Sequence, residues 1–207
     1  MSPDSNAPAP PATDAPRMMF IPVSGPFGMG EFARCLNLAL ACRARWPQAR
    51  IRFLLSEKAA YASGLPFESV LLPSSPTFHI REVSAEINQF QPSVVVFDNA
   101  GRTAQLAAAR RAGAAVVYIS ARARQRRKAF RWRWLRLLDE HWIAWPSFMS
   151  GALTAFERLK LRLADGPVVR YLDCVLPALA PDAQGELLHR VPAAGGSFVL
   201  MVPGGGT

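Results

Sequence analysis

"SVVVFDNAGRTAQLAAARRAGAAVVYIS", Ser93 to Ser120, decides the fold. An unbroken apolar run, "SVVVFD", gives way to a short turn, "NAG". An alanine-rich segment follows, "RTAQLAAARRAG", with Gly113 as its C-cap, and then a second apolar run, "AAVVYIS". Valine-rich runs without polar alternation describe strands buried on both faces, and the segment between them has the composition of a crossover helix. The unit is strand–helix–strand, which demands a parallel sheet covered on both sides.

The same alternation continues in both directions. Upstream, "MMFIPVS" (18–24) is a strand, followed by a glycine-rich turn and a helix from about Gly30 to Arg45. Its apolar residues Phe32, Cys35, Leu36, Ala39, Leu40 and Cys42 recur at near-helical spacing. "WPQAR" ends that helix, "IRFLLS" (51–56) is a second strand and "FESVLLP" (67–73) a weaker third. "REVSAEINQFQP" (81–92) is a helix stopped by Pro92. Downstream, "HWIAWPS" and "PVVRYLD" supply two more strands, with "GALTAFERLKLRL" as a helix between them. The fold class is therefore α/β, a Rossmann-like doubly wound parallel sheet. In such sheets ligands sit beyond the carboxyl ends of the strands, near the point where strand order reverses. The loops Ser24–Glu31, Ser56–Glu57, Asp98–Gly101 and Ser120–Arg122 are expected to line one crevice there.

The 207 residues divide into a Pro/Ala-rich tail (1–17), the α/β domain (18–180), a Pro/Ala/Gly-rich linker (181–196) and a further strand with a glycine turn (197–207). That last strand, "SFVLMVP" running into "GGGT", looks like the opening of a second α/β unit, so the chain reads as truncated; a frayed C-terminal strand of the first sheet is the alternative. The tail lacks the apolar core of a signal peptide, and no apolar run approaches the roughly 18–20 residues that span a bilayer. Cys35, Cys42 and Cys174 make no metal or disulfide spacing and fit reduced cytoplasmic thiols. Cys35 and Cys42 stand on one helix face, as buried free thiols. His79, His141 and His189 stand alone and read as structural. No metal site, serine-hydrolase elbow or Walker phosphate loop is present in the sequence.

The net charge of +9 is local: Arg122 to Arg136 holds eight basic and no acidic residues, and the rest of the chain carries +1. On a single helix over 122–138, Phe130, Trp134, Leu137 and Leu138 share one face, leaving Trp132 and most arginines outside. Arg122, Arg124, Arg126, Arg127, Lys128, Arg131, Trp132 and Arg133 then form a patch for an anionic membrane surface or lipid phosphate. Nucleic acid, or a solvated face with no ligand, are the alternatives.

"GMGEFA" (28–33) satisfies the dinucleotide fingerprint G-x-G-x-x-A, with Glu57 placed for a cofactor ribose; a nicotinamide-dependent oxidoreductase is one reading. Against it, Pro26 and Phe27 lengthen the loop and Glu31 would repel a pyrophosphate. The stretch from Gly28 through "RCLNLA" (34–39) instead resembles the N-terminal start of GT-B fold glycosyltransferases. It is most similar to the subgroup of the pseudaminic-acid UDP-sugar hydrolase and the peptidoglycan lipid-linked N-acetylglucosaminyltransferase. There a strand leads into G-x-G-H and an Arg-Cys-Leu-x-Leu-Ala-like helix; Gly28 and Gly30 match the glycines, and Glu31 replaces the histidine.

The resemblance implies that this is the acceptor-side, N-terminal half of a GT-B enzyme, cytoplasmic and peripheral at the inner face of the membrane. Such an enzyme transfers a sugar from a nucleotide-sugar donor, a UDP-sugar, to an acceptor hydroxyl, on a glycan or lipid, with no cofactor. It also implies that Gly204, Gly205, Gly206 and Thr207 open the donor-phosphate turn of the second domain, most of which is missing, so the chain alone would be inactive. Glu31 is then either the catalytic base or a helix cap. Ser24, Gly28, Gly30, Asp98 and Asn99 are the expected substrate-binding positions, although Asp98 and Asn99 also suit an ordinary N-cap turn. A basic membrane- or nucleic-acid-binding module without enzymatic activity is the non-catalytic alternative.

Overall fold

The computed structural model describes residues 15–172 and residue 175. The linker, the last strand with its glycine turn, His189, Cys174 and almost all of the N-terminal tail lie outside these residues. Strands and helices alternate along the chain. The first half runs β1 (Arg17–Pro22), α1 (Gly30–Arg45), β2 (Arg50–Ser56), β3 (Glu68–Leu72), α2 (Ile80–Phe90), β4 (Val94–Asp98) and α3 (Thr103–Arg111). The second runs β5 (Ala115–Ser120), α4 (Ala123–Ala129), α5 (Trp132–Leu135), β6 (Glu140–Ile143), α6 (Ser147–Ser150), α7 (Ala155–Ala164) and β7 (Val168–Tyr171). The strands form one sheet in the order β3-β2-β1-β4-β5-β6-β7, and every pairing is parallel. The Rossmann-like, doubly wound fold expected from Ser93–Ser120 is the fold observed.

The valine runs lack alternation because both faces of the sheet are covered. Met19, Ile21, Val95, Phe97, Val116 and Tyr118 face α2, α3 and α5, meeting Val83, Ile87, Leu106 and Trp134. Their sequence neighbours Met18, Phe20, Val96, Val117 and Ile119 point the other way, toward Phe32, Cys35 and Ala39 of α1. Phe20 stacks on Phe53 at 5.2 Å, and Phe32 closes on Tyr61 at 4.7 Å, so α1 is anchored over the first two strands by rings. Each fully buried side chain of this size contributes roughly 1.5–3 kcal/mol.

Several boundaries shift, each for a local reason. β1 begins at Arg17, inside the expected tail, because the Arg17 carbonyl and amide both bond Ser93. α2 closes at Gln91, in the left-handed region at φ 48°, so the helix ends just before Pro92. α3 is capped by Ala112, and Gly113 follows it at φ 77°. Gly113 and Ala114 donate their amides back to Arg110 and Ala109, a closure that glycine admits without Cβ strain. α7 starts only at Ala155, where Thr154 and Glu157 cap one another reciprocally.

The largest correction is the basic segment. Instead of one helix over 122–138, the chain makes α4 and α5 with an extended residue, Arg131, between them. The break lets two rings reach two different strands. Phe130 packs edge-on against His141 of β6 at 5.4 Å, and Trp134 against Tyr118 of β5 at 4.9 Å. Burial of Phe130, Trp134 and Leu138 is as expected, while Leu137 is only partly buried and Trp132 stays 45% exposed.

Candidate active site at the carboxyl edge of the sheet

Strand order reverses between β1 and β4, and there the loops meet. Ser24, after β1, is buried, and its hydroxyl accepts the Ser56 amide at the end of β2 (2.8 Å). The Val23 amide donates to the Asp98 carbonyl, and the Gly25 amide to the Tyr61 hydroxyl. Ser24, expected as a binding position, therefore fastens two strand ends together through its buried hydroxyl oxygen. Gly28 sits at φ 73° on an exposed turn, Gly30 opens α1, and Phe27 between β1 and α1 is exposed to solvent.

Asp98 is not a ligand-facing group. It has no exposure, and both carboxylate oxygens accept from Arg34, at 2.7 Å from Nε and 2.8 Å from Nη2. Burial pushes the Asp98 carboxyl up to about 6, against the pull of Arg34, which lowers it. The Cys35 thiol donates weakly to Asp98 (3.9 Å), and burial raises its pKa well above the ordinary thiol value. Cys35 is thus a protonated, buried thiol, and Cys42 is free on the same side of α1. The N-cap alternative for Asp98 and Asn99 does not hold either: α3 is capped at Arg102, whose amide donates to Gln105 Oε1.

Asn99 joins the loops. Its backbone lies in the left-handed region, φ 51°, where asparagine is among the few residues tolerated. That turn sends its side chain across the edge. Asn99 Nδ2 donates to Glu31 Oε1 at 2.8 Å, and Asn99 Oδ1 accepts the Ala121 amide at 2.9 Å. Gly101, two residues on, has φ 95°, and a Cβ there would stand 3.0 Å from Leu106 and 3.1 Å from Phe97. Any side chain would push the turn off the core. Glu31 does not cap α1: the cap is Met29, without a side-chain bond. Its carboxylate is half-buried, tethered on one oxygen by Asn99.

Beyond β5 and β6 a cavity of about 510 Å³ opens, lined by Ala121, Arg122, Arg127, Ile143, Trp145 and Met149 among others. Behind it, His141 is buried and shares a 2.8 Å hydrogen bond with Ser120; burial lowers its pKa to about 4. His141 is structural, as expected, and so is His79, which bonds Ser74.

Of the basic patch, Arg122, Arg124, Arg127, Arg131, Trp132 and Arg133 are exposed, but two members are consumed internally. Arg126 pairs with Glu157 and with the Ser150, Gly151 and Ala152 carbonyls. Lys128 donates to the Gly101 carbonyl and sits over Trp134, and burial with the nearby Arg102, Arg131 and Arg124 lowers it to about 8. Both leave the expected patch. Gly204, Gly205, Gly206 and Thr207 lie outside the described residues. Among the described residues no cluster of His, Cys, Asp or Glu is placed to hold a metal, and no helix is long and apolar enough to cross a membrane.

Tyr61, Trp145 and the Ser150–Ala152 carbonyls were not singled out from the sequence. Arg34 entered only as the first residue of the 34–39 motif, with no role assigned to it.

The fold and site define a doubly wound, all-parallel α/β domain whose polar groups converge at the switch point between β1 and β4. No family model and no curated protein matches the chain. Among solved structures, it is similar to UGT71G1 of Medicago truncatula, solved with UDP-glucose, over 84% of this chain and 56% of that one, at 12% identity and a TM-score of 0.49. It is also similar to UGT73P12 of Glycyrrhiza uralensis, solved with glycyrrhetinic acid 3-O-monoglucuronide. There the coverage is 78% and 49%, at 9% identity and a TM-score of 0.47. The chain spans about half the length of each.

Proposed function

We propose that this chain is the acceptor-side domain of a GT-B type glycosyltransferase, with Glu31 as the base that deprotonates the acceptor hydroxyl. The observation that carries this is the Glu31–Asn99–Ala121 chain of hydrogen bonds at the switch point. It holds one carboxylate oxygen still and leaves the second without a partner among the described residues, at the carboxyl edge where such sheets take ligands. A carboxylate so fixed suits general-base work, which contributes about 10²–10⁴-fold to rate. The motif match at Gly28, Gly30 and Arg34–Ala39 supports the same reading. A nucleotide-sugar donor, a UDP-sugar, would be held chiefly by a second α/β unit opening at 197–207, with Gly204–Thr207 at its phosphates.

The acceptor in this reading is lipid-linked, and the protein works at the inner membrane surface. Its support is a set of exposed side chains: Phe156, Leu159 and Leu163 lie along α7, and Lys160 Nζ reaches the rings of both Phe156 and Trp132. Arg131, Arg133, Arg158 and Arg162, from the same two segments of chain, are exposed as well. Aromatic residues among cations suit an anionic lipid surface, each cation adding about 1 kcal/mol.

The test is turnover by the full-length gene product with a panel of UDP-sugars. Glu31→Gln should reduce kcat by about 10²–10⁴-fold with the fold intact; unchanged turnover removes Glu31 from the chemistry. Co-sedimentation with phosphatidylglycerol vesicles, with RNA as competitor, tests the surface. RNA binding without vesicle binding would overturn the lipid assignment.

A further inference from the structure

The cavity beyond β5 and β6 has an unusual wall: nearly all of its polar side chains are already engaged. Arg126 donates all five of its N–H groups, to Glu157 and to three carbonyls. Glu157 accepts from Arg126 on both oxygens and from the Thr154 amide and hydroxyl on one. Ser120 is bonded to His141, Ser150 to the Trp145 and Pro146 carbonyls, and the Trp145 indole N–H to the Ala121 carbonyl at 2.9 Å. Arg122 and Arg127 make no side-chain hydrogen bond or ion pair among the described residues. With Arg126 and Glu157 cancelling each other, these two leave the wall with two uncompensated positive charges.

What remains for a ligand is therefore two guanidinium groups and apolar surface from Ile143, Trp145 and Met149. A neutral sugar would lose its hydration there and find few partners. We propose that this cavity binds an amphiphilic anion, with a phosphate or carboxylate at Arg122 and Arg127 and a hydrophobic body along Trp145, Met149 and Ile143. About 510 Å³ is room for one such molecule. Guanidinium groups favour planar, paired contacts with oxyanions, and the apolar wall selects against a bare ion. Ala121 lines the cavity and also bonds Asn99, so a single asparagine side chain separates this wall from the Glu31 carboxylate. On the transferase reading, on which only this last step rests, the cavity holds the non-sugar part of the acceptor beside the base.

Dodecyl phosphate, kept below its micelle-forming concentration, is the probe, titrated into the full chain by calorimetry and tryptophan emission, without donor. One equivalent should bind and shift the emission. Arg122→Gln with Arg127→Gln should weaken it at least about tenfold. Arg124→Gln with Arg133→Gln, which changes net charge equally outside the cavity, should weaken it less than about twofold. Trp145→Phe should remove most of the emission change while calorimetric binding persists. Equal weakening by both double variants overturns the proposal, as does equally tight binding of inorganic phosphate or of dodecyl glucoside. Binding to phosphatidylglycerol vesicles but not to the monomeric probe assigns the arginines to the membrane surface and overturns it too. Transfer to a neutral acceptor without probe binding sinks this ligand class alone; probe binding without any transfer sinks only the enzymatic reading.

Discussion

Two stretches of the same sheet edge solve opposite problems. At the ends of β1 and β4, polar groups are turned inward: Arg34 and Asp98 close on one another at 13% and 0% side-chain exposure, and Ser24 is spent on Ser56. At the ends of β5 and β6, the pairing of Arg126 with Glu157, at 12% and 15%, forms the wall of an open cavity, and Arg122 and Arg127 stay unpaired among the described residues. Where the sheet must stay closed under α1, charge is neutralised internally. Where the helices are short, charge is left facing outward. One residue type, arginine, thus serves as a buried strut at one end and as an unpaired cation at the other.

Breaking the strut should cost most. Arg34→Met leaves a fully buried carboxylate without its partner, and urea unfolding should show a loss of about 3–5 kcal/mol. A loss below about 1 kcal/mol would mean that Asp98 is rescued by protonation or water.

The second effect comes through pH. His141 is buried neutral, with its pKa lowered from 6.5 to about 4. Its unfolded form binds a proton more readily, so its contribution is complete above about 6.5 and is lost as pH falls through 4, on the order of 3 kcal/mol in all. Asp98 acts with the opposite sign: its raised pKa makes its contribution largest below its ordinary value of 3.8, falling as pH rises through about 6. His141→Leu should flatten the rise of unfolding free energy between pH 4 and 6.5, while Asp98→Asn should steepen it. If both variants shift the profile in the same direction, the contrast between the two ends fails.

Arg126→Met should be milder than the strut, about 2 kcal/mol by the same unfolding measurement, since water can reach the groups it abandons. Smallest of all, Arg122→Gln with Arg127→Gln should change stability by less than about 0.5 kcal/mol, as befits cations without a partner among the described residues. A larger loss would place these arginines in the fold and out of a ligand's reach.

How much was legible beforehand depended on the range of the interaction. α1 was foreseen at Gly30–Arg45 because apolar spacing and the "WPQAR" stop are local signals. The parallel sheet was legible because a strand covered on both faces must be apolar throughout. The basic segment was misread as one helix because periodicity along 122–138 cannot register two anchoring rings on two separate strands. Glu31 and Asn99 were both picked out, yet nothing local joins residues 68 positions apart. Asp98 was read as a substrate-binding or N-cap turn residue because its partner, Arg34, is just as remote.

The sequence by itself determined the α/β alternation, the burial of both sheet faces, the glycine turn and the concentration of charge in one segment. These follow from hydrophobic period and composition, which act between near neighbours. Only the tertiary structure decided which charges are spent and which are free. Pairing Arg34 with Asp98 and Arg126 with Glu157, and leaving Arg122 and Arg127 unpaired among the described residues, depends on where the crossovers bring distant loops together. Burial then fixes the outcome, because a charge out of water requires a partner and a charge at the surface does not.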